Sequence, residues 1–172
     1  MKRKETEFLT EEEAQAILRV PDRRTPQGKR DYGILLTLLT TGLRKAEICN
    51  LKVGDPKTYR NQGVIDVVGK GKKFRRIPLK TETLLSIQDY LKANGNGLNS
   101  DHPVSHTLGK HGPYDRKCLT PKAVDCLIKS AAKKAIWRDD LVVIIKEGVD
   151  IQRGNYPGNQ LIMKFLIQRE RR

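Results

Sequence analysis

Aromatic side chains are scarce in this chain, at 5% of 172 residues with a single tryptophan, and cysteine occurs only three times. Cys49, Cys118 and Cys126 are odd in number and lack paired ligand spacing, which excludes a disulfide framework or a zinc site and reads as reduced thiols. Long apolar runs are missing too. None approaches the roughly 20 residues that span a bilayer, and Met1-Lys2-Arg3-Lys4-Glu5 lacks the apolar segment of a signal peptide. The expectation is a cytoplasmic protein with no membrane partner. Acidic residues are also in short supply: 20 Asp and Glu face 34 Lys and Arg, a formal net charge of +14. Such an excess favours a polyanionic partner. Neither internal repeats nor low-complexity tracts occur.

Length bounds the architecture at one domain with a real core. Residues 1–8 are charged and are expected to form a loose tail, with a single domain over 9–172. Thr10 and Glu13 make a capping-box pattern that opens a helix through about Arg19. Two prolines and a glycine between Val20 and Lys29 predict a loop. The greasy run Ile34-Leu35-Leu36-Thr37-Leu38-Leu39 predicts a buried helix from about Arg30 to Thr41. Gly42 stops it, because only glycine enters the left-handed conformation without steric cost. A short helix from Arg44 ends near Leu51, and Gly54-Asp55-Pro56 forms a turn.

The β-rich run Gly63 to Val68, the Gly69-Lys70-Gly71-Lys72-Lys73 tip and the return run Phe74 to Leu79 predict a hairpin. A further helix starts near Thr81, with Leu84, Ile87 and Leu91 at core spacing, and stops at Asn94-Gly95-Asn96-Gly97. Leu98 to Leu119 reads as a loop holding His102, His106 and His111. Their spacing fits no standard metal site, so surface histidines are expected, with no metal and no cofactor. Thr120-Pro121 opens a last helix as N-cap and first helical position. Val124, Leu127, Ile128, Ala131 and Ala135 turn inward there, and Lys122, Lys129, Lys133 and Lys134 stay on the polar side.

Chemistry concentrates in Thr41-Gly42-Leu43-Arg44-Lys45-Ala46-Glu47. Arg44 sits at a tight helix–helix junction, with Glu47 one turn on along the same face. An arginine held there by a carboxylate is a preorganised fork for a phosphate. The plain alternative is a surface ion pair of small worth. The hairpin tilts the balance, since Lys70, Lys72 and Lys73 crowd its tip and Arg75 and Arg76 follow on the return strand.

The order TGLRKAEICNL, then VIDVVGKGKKFRRIPL, resembles the tyrosine recombinases, the phage integrase family of site-specific DNA recombinases, over roughly Leu9 to Ala135. The resemblance implies an α+β fold, mainly helical, with a small antiparallel sheet carrying the hairpin. It implies that Arg44 is the first phosphate-clamping arginine, Glu47 its structural partner and Lys70 the general acid for the leaving 5′ oxygen. Lys72 and Lys73 are substitutes for Lys70. Lys45, Lys72, Lys73, Arg75, Arg76, Lys122 and Lys129 are the implied DNA-binding cations.

In the family a His-x-x-Arg pair, a Gly-His pair and a tyrosine nucleophile should follow the Thr120 helix, and residues 136–172 diverge from that pattern. The His-x-x-Arg pair is missing. Arg138 is a candidate replacement phosphate contact, though its spacing does not match. Gly154-Asn155-Tyr156 occupies the Gly-His region without the histidine. Phe165 stands at the tyrosine's place and has no hydroxyl with which to attack phosphorus. Tyr156 is the one tyrosine downstream of this region and the candidate displaced nucleophile.

The expectation is therefore a domain that binds double-stranded DNA but is catalytically impaired. One alternative is an active recombinase that forms a 3′-phosphotyrosyl intermediate with a displaced or partner-supplied tyrosine. Besides DNA, the expected partners of the chain are further copies of itself on DNA or a full-length recombinase. Another alternative is an unrelated basic nucleic-acid-binding module.

Overall fold

The computed structural model describes residues 9–68, 74–95, 100–107 and 117–135. Its elements in chain order are α1 (Glu11–Leu18), α2 (Pro26–Thr41), α3 (Lys45–Cys49), β1 (Pro56–Tyr59), β2 (Gln62–Val68), β3 (Phe74–Leu79), α4 (Thr81–Ala93) and α5 (Pro121–Ala135). The mainly helical α+β architecture with a small antiparallel sheet matches the expectation.

Local chemistry sets most boundaries. The Thr10 hydroxyl accepts from the Glu13 amide while Glu13 Oε2 accepts from the Thr10 amide at 2.8 Å, closing both halves of the capping box on α1. α2 begins at Pro26, four residues before the expected start, so the predicted loop between Val20 and Lys29 is only partly a loop. Thr25 caps it by accepting from the Gly28 amide at 3.0 Å, and Pro26 takes the first helical position. Thr25-Pro26 is thus the same start signal as Thr120-Pro121. Gly28 lies within that first turn because a Cβ there would collide with the Asp22 backbone at 1.9 Å.

α2 is apolar on nearly all sides, and two cores form around it. Ile34, Leu35 and Leu38 join Ile17 of α1, Ile48 and Cys49 of α3, and Val124, Ile128 and Ala131 of α5. The second core gathers Leu43, Leu51, Ile65, Val67, Leu79, Ile87, Tyr90 and Val104. The buried hydroxyls of Thr37 and Thr41 donate to the carbonyls of Gly33 and Thr37, each at 2.6 Å, so neither is left unsatisfied in the helix. α4 lies along α2, with the Thr40 and Thr83 hydroxyls 3.1 Å apart and the Tyr32 hydroxyl donating to Glu82 at 3.0 Å.

The sheet runs β1-β2-β3, all antiparallel. Hairpin β2–β3 was expected; β1 was not. It pairs Tyr59 with Gln62 across a two-residue turn in which Arg60 and Asn61 have φ of 48° and 60°. Positive φ at both positions gives the twist that a tight hairpin needs. Arg-Asn is a weaker sequence signal for it than Asn-Gly, which is why the strand was hidden. In β3 alternation turns Arg75, Ile77 and Leu79 toward the interior and leaves Phe74, Arg76 and Pro78 exposed.

His106 corrects the expectation of surface histidines. It is 1% exposed, its ring within hydrogen-bonding distance of the Tyr90 hydroxyl (3.2 Å from Nδ1) and of the Asn94 amide. Its carbonyl accepts from Arg30 at 3.2 Å. The segment bearing it is stitched inward by Val104 N–H to Leu51 O at 2.7 Å and Leu119 N–H to Ser105 O at 3.1 Å. A stretch without hydrophobic periodicity is thereby buried through polar pairing. His102 is half-buried, and His111 lies outside the described residues.

Burial, aided by the nearby Arg30 charge, holds the His106 pKa below its ordinary 6.5. The folded chain thus takes up its proton less readily than the unfolded chain, so stability present above pH 6.5 is lost as pH falls below that value. Urea unfolding from pH 7.5 to 5 is expected to show that loss in the wild type and a shallower slope for His106→Gln. Parallel slopes for the two proteins would refute the assignment.

Candidate functional site

α2 delivers the chain to the site through one glycine and one leucine. Gly42 has φ of 63° and ends α2 with its amide on the Leu38 carbonyl at 3.1 Å. Leu43 is fully buried in the second core and anchors the reversal. Arg44 follows in extended backbone as the residue capping α3. Arginine has no side-chain oxygen to cap with. The capping that exists comes from Glu47, whose Oε2 accepts from the Arg44 backbone amide at 2.8 Å. The Arg44 side chain is left to reach outward.

Glu47 is also the meeting point of two guanidiniums. Arg44 Nη1 lies 3.4 Å from Oε1, and Arg75 Nη2, arriving from β3, lies 2.5 Å from Oε2. The carboxylate is 9% exposed, the two arginine side chains 25% and 28%. The Nε atoms of Arg44 and Arg75 are both buried, and neither has a partner among the described residues. Buried donors of this kind are normally satisfied. Two part-exposed guanidiniums around one carboxylate suit an incoming anion with several acceptor oxygens, such as a phosphate.

Other predicted cations separate into distinct surroundings. Lys45 Nζ pairs with Asp125 at 2.8 Å and ties α3 to α5. Arg76 lies on the opposite face of β3 from Arg75. It forms a two-pronged pair with Asp66 at 2.6 and 2.9 Å and lies over the rings of Tyr59 and Phe74 at 4.4 and 5.9 Å. Lys57 joins the same carboxylate at 2.6 Å. These two cations, Arg76 foremost, hold the Asp66 carboxyl well below the usual range. Lys122 and Lys129 are exposed on the polar side of α5. Burial pushes the Cys49 thiol up to about 11, which removes its capacity as a nucleophile near neutral pH.

Lys70, Lys72, Lys73, Arg138 and Tyr156, like Phe165, lie outside the described residues. The strands flanking the lysine tip are described, and Arg75, two residues beyond it, is the residue that meets Glu47. Sequence reasoning grouped Arg75 with Arg76 as strand cations and missed that meeting. Strand alternation was the available signal, since Arg75 shares its face with Ile77 and Leu79. The Lys45–Asp125 pair joins residues far apart in sequence, and no local pattern announces it.

The family model described as Phage integrase family matches residues 7–141. The tyrosine recombinase XerA of Pyrococcus horikoshii is 36% identical over 126 residues, which cover 73% of this chain and 40% of that protein. The tyrosine recombinase XerD of Xanthomonas axonopodis pv. citri is 38% identical over 103 residues, 59% of this chain and 33% of the relative. Among solved structures, a XerA recombinase crystal structure matches with a TM-score of 0.65 at 22% identity, over 96% of this chain and 56% of that one. XerH bound to difH substrate in a pre-cleavage complex matches with a TM-score of 0.56 at 18% identity, over 87% and 43%. The chain thus spans a third to just over half the length of these relatives. The family match overturns the alternative of an unrelated basic module. Among the described residues no helix is long and apolar enough to cross a membrane.

Glu47→Ala leaves two part-buried guanidiniums facing each other without their shared acceptor. A loss of about 1–3 kcal/mol in chemical unfolding is expected, against less than about 1 kcal/mol for Lys45→Ala, whose partner is more solvated. Equal losses would show that Glu47 is an ordinary surface pair.

Proposed function

The chain belongs to the phage integrase family, and on that footing we propose that it is a DNA-binding domain of the tyrosine recombinase type whose strand-cleaving chemistry is impaired. The observation that carries the reading is the convergence of Arg44 and the hairpin strand β3 on Glu47, with both guanidiniums left part-exposed.

Cleaving a phosphodiester without a metal needs a nucleophile in line, cations on the non-bridging oxygens and an acid at the leaving oxygen. Arg44 supplies one clamp, already set by Glu47 and by the buried Leu43. Lys70, at the tip between β2 and β3, is the acid this reading assigns, with Lys72 and Lys73 as its substitutes. The remaining parts are deficient in the sequence itself. The His-x-x-Arg pair has no match, Arg138 is misplaced for it, and Phe165 cannot attack. Without a hydroxyl at Phe165 the covalent route is closed at that position. Affinity for duplex DNA depends on neutralising phosphates, and the lysines and arginines for that remain.

The relatives' names supply the site-specific recombination context, and the XerH structure is a complex with its difH substrate. This chain's duplex is recognised, on this reading, by Arg44 with Lys70 at the cleavable phosphate. Lys72, Lys73, Lys122 and Lys129 act along the flanking backbone.

Duplex binding measured across a salt series is expected to weaken steeply with salt. Arg44→Ala and Lys70→Ala are each expected to weaken it modestly and to reduce the slope of log affinity against log salt by about one. Nicked suicide duplexes should yield no covalent protein–DNA adduct. An adduct mapped to Tyr156 would overturn the impairment, and salt-independent binding would overturn the DNA reading.

A further inference from the structure

We infer that Arg75 is a positioning residue for the anion site, holding the Glu47 carboxylate so that Arg44 keeps a net positive field toward a bound phosphate. The inference rests on the reading of Arg44 as a phosphate clamp and assigns Arg75 a role other than touching DNA itself.

A carboxylate beside a clamp arginine braces it, but it also cancels the charge that the clamp exists to present. At 9% exposure Glu47 is poorly screened by water, so an Arg44–Glu47 pair alone would be close to neutral and would repel a phosphate from one side. The observed geometry resolves this conflict. Oε2 is held twice, by Arg75 Nη2 at 2.5 Å and by the Arg44 backbone amide at 2.8 Å, whereas the Arg44 guanidinium touches only Oε1, at 3.4 Å. The carboxylate thus leans on Arg75 and on the start of α3, and binds the Arg44 side chain weakly. Two guanidiniums against one carboxylate leave a single net positive charge among these three side chains. The short contact lies on Arg75, and the loose one on the arginine that must swing its donors to a ligand.

β3 makes this possible through its pleat. Alternation turns Arg75 to the same side as Ile77 and the buried Leu79, while Val67, its partner across β2, is buried in the second core. Arg76 goes to the other face and is committed to Asp66. The same bridge pins β3 to the helix that carries Glu47, so one ion pair sets both the charge beside Arg44 and the seat of the strand.

The test is a compensation experiment on the full chain. Affinity for a fluorescent duplex is measured across a salt series for wild type, Arg75→Gln, Glu47→Gln and the double variant, with thermal melts confirming folding. Arg75→Gln is expected to weaken binding about tenfold by leaving Glu47 unbalanced beside Arg44. Adding Glu47→Gln removes that excess charge and should restore affinity to within about threefold of wild type, together with the wild-type salt slope. A merely structural bridge would not be rescued by deleting its second half, so a double variant as weak as Arg75→Gln overturns the inference. A slope lowered by about one in both Arg75 variants, whatever stands at 47, would place Arg75 on a phosphate and overturn it too.

Should Arg75→Gln fail to fold, Arg75→Lys carries the test. It keeps the charge beside Glu47, so near-wild-type binding is expected and a tenfold loss overturns the inference. Inorganic phosphate titrated against the Arg44 Nε–H resonance separates the two levels of the argument. Phosphate binding without duplex binding sinks the DNA reading alone, whereas phosphate affinity unmoved by Arg75→Gln sinks the role of Arg75.

Discussion

A single carboxylate, that of Glu47, governs how three parts of this chain fit together. It satisfies the first free amide of α3, receives the Arg44 guanidinium from the α2–α3 junction and receives Arg75 from β3. Helix ends expose unpaired amides, and strands carry no natural link to a helix start. A side chain able to accept from both solves two problems at one point. The arrangement is polar, nearly buried and flanked by the second core, so its geometry is enforced by packing on one side and by charge on the other. That combination holds two part-exposed guanidiniums beside one nearly buried carboxylate.

How far the chain could be read in advance varies with the kind of interaction involved. α1, α4 and α5 announced themselves through caps and spacing, because those signals are local and the residues making them are neighbours in sequence. The start of α2 was legible in principle from Thr25-Pro26, but the surrounding proline and glycine argued for a loop, and the loop reading prevailed. β1 escaped because its turn uses Arg60 and Asn61 in left-handed backbone, a conformation that asparagine favours but arginine seldom adopts. His106 escaped for a different reason. Its burial is imposed by Tyr90 and Asn94 from another element, and polar networks of that kind leave no periodic trace.

For the site, Arg44 and Glu47 were visible as a pair, since three residues on a helix are close by construction. Arg75 was visible only as charge. What the sequence withheld was which of the two adjacent arginines on β3 points inward. The answer follows from the pleat once the register Val67 to Arg75 is known. The resemblance to recombinases could point to the cationic hairpin, but not to the division of labour within it, where Arg75 is bound to Glu47 and Arg76 to Asp66, over the rings of Tyr59 and Phe74.

Leu43 carries a consequence of its own. It sits wholly inside the molecule one residue before Arg44, directly after a glycine locked in left-handed backbone. Any twist of α3 that redirected Arg44 would have to draw that side chain into water, at about 1.5–3 kcal/mol. The guanidinium is therefore mounted on a fixed stem before any ligand arrives. Redirecting its donors then requires only rotation about the arginine's own side-chain bonds, with no rearrangement of the backbone to wait for.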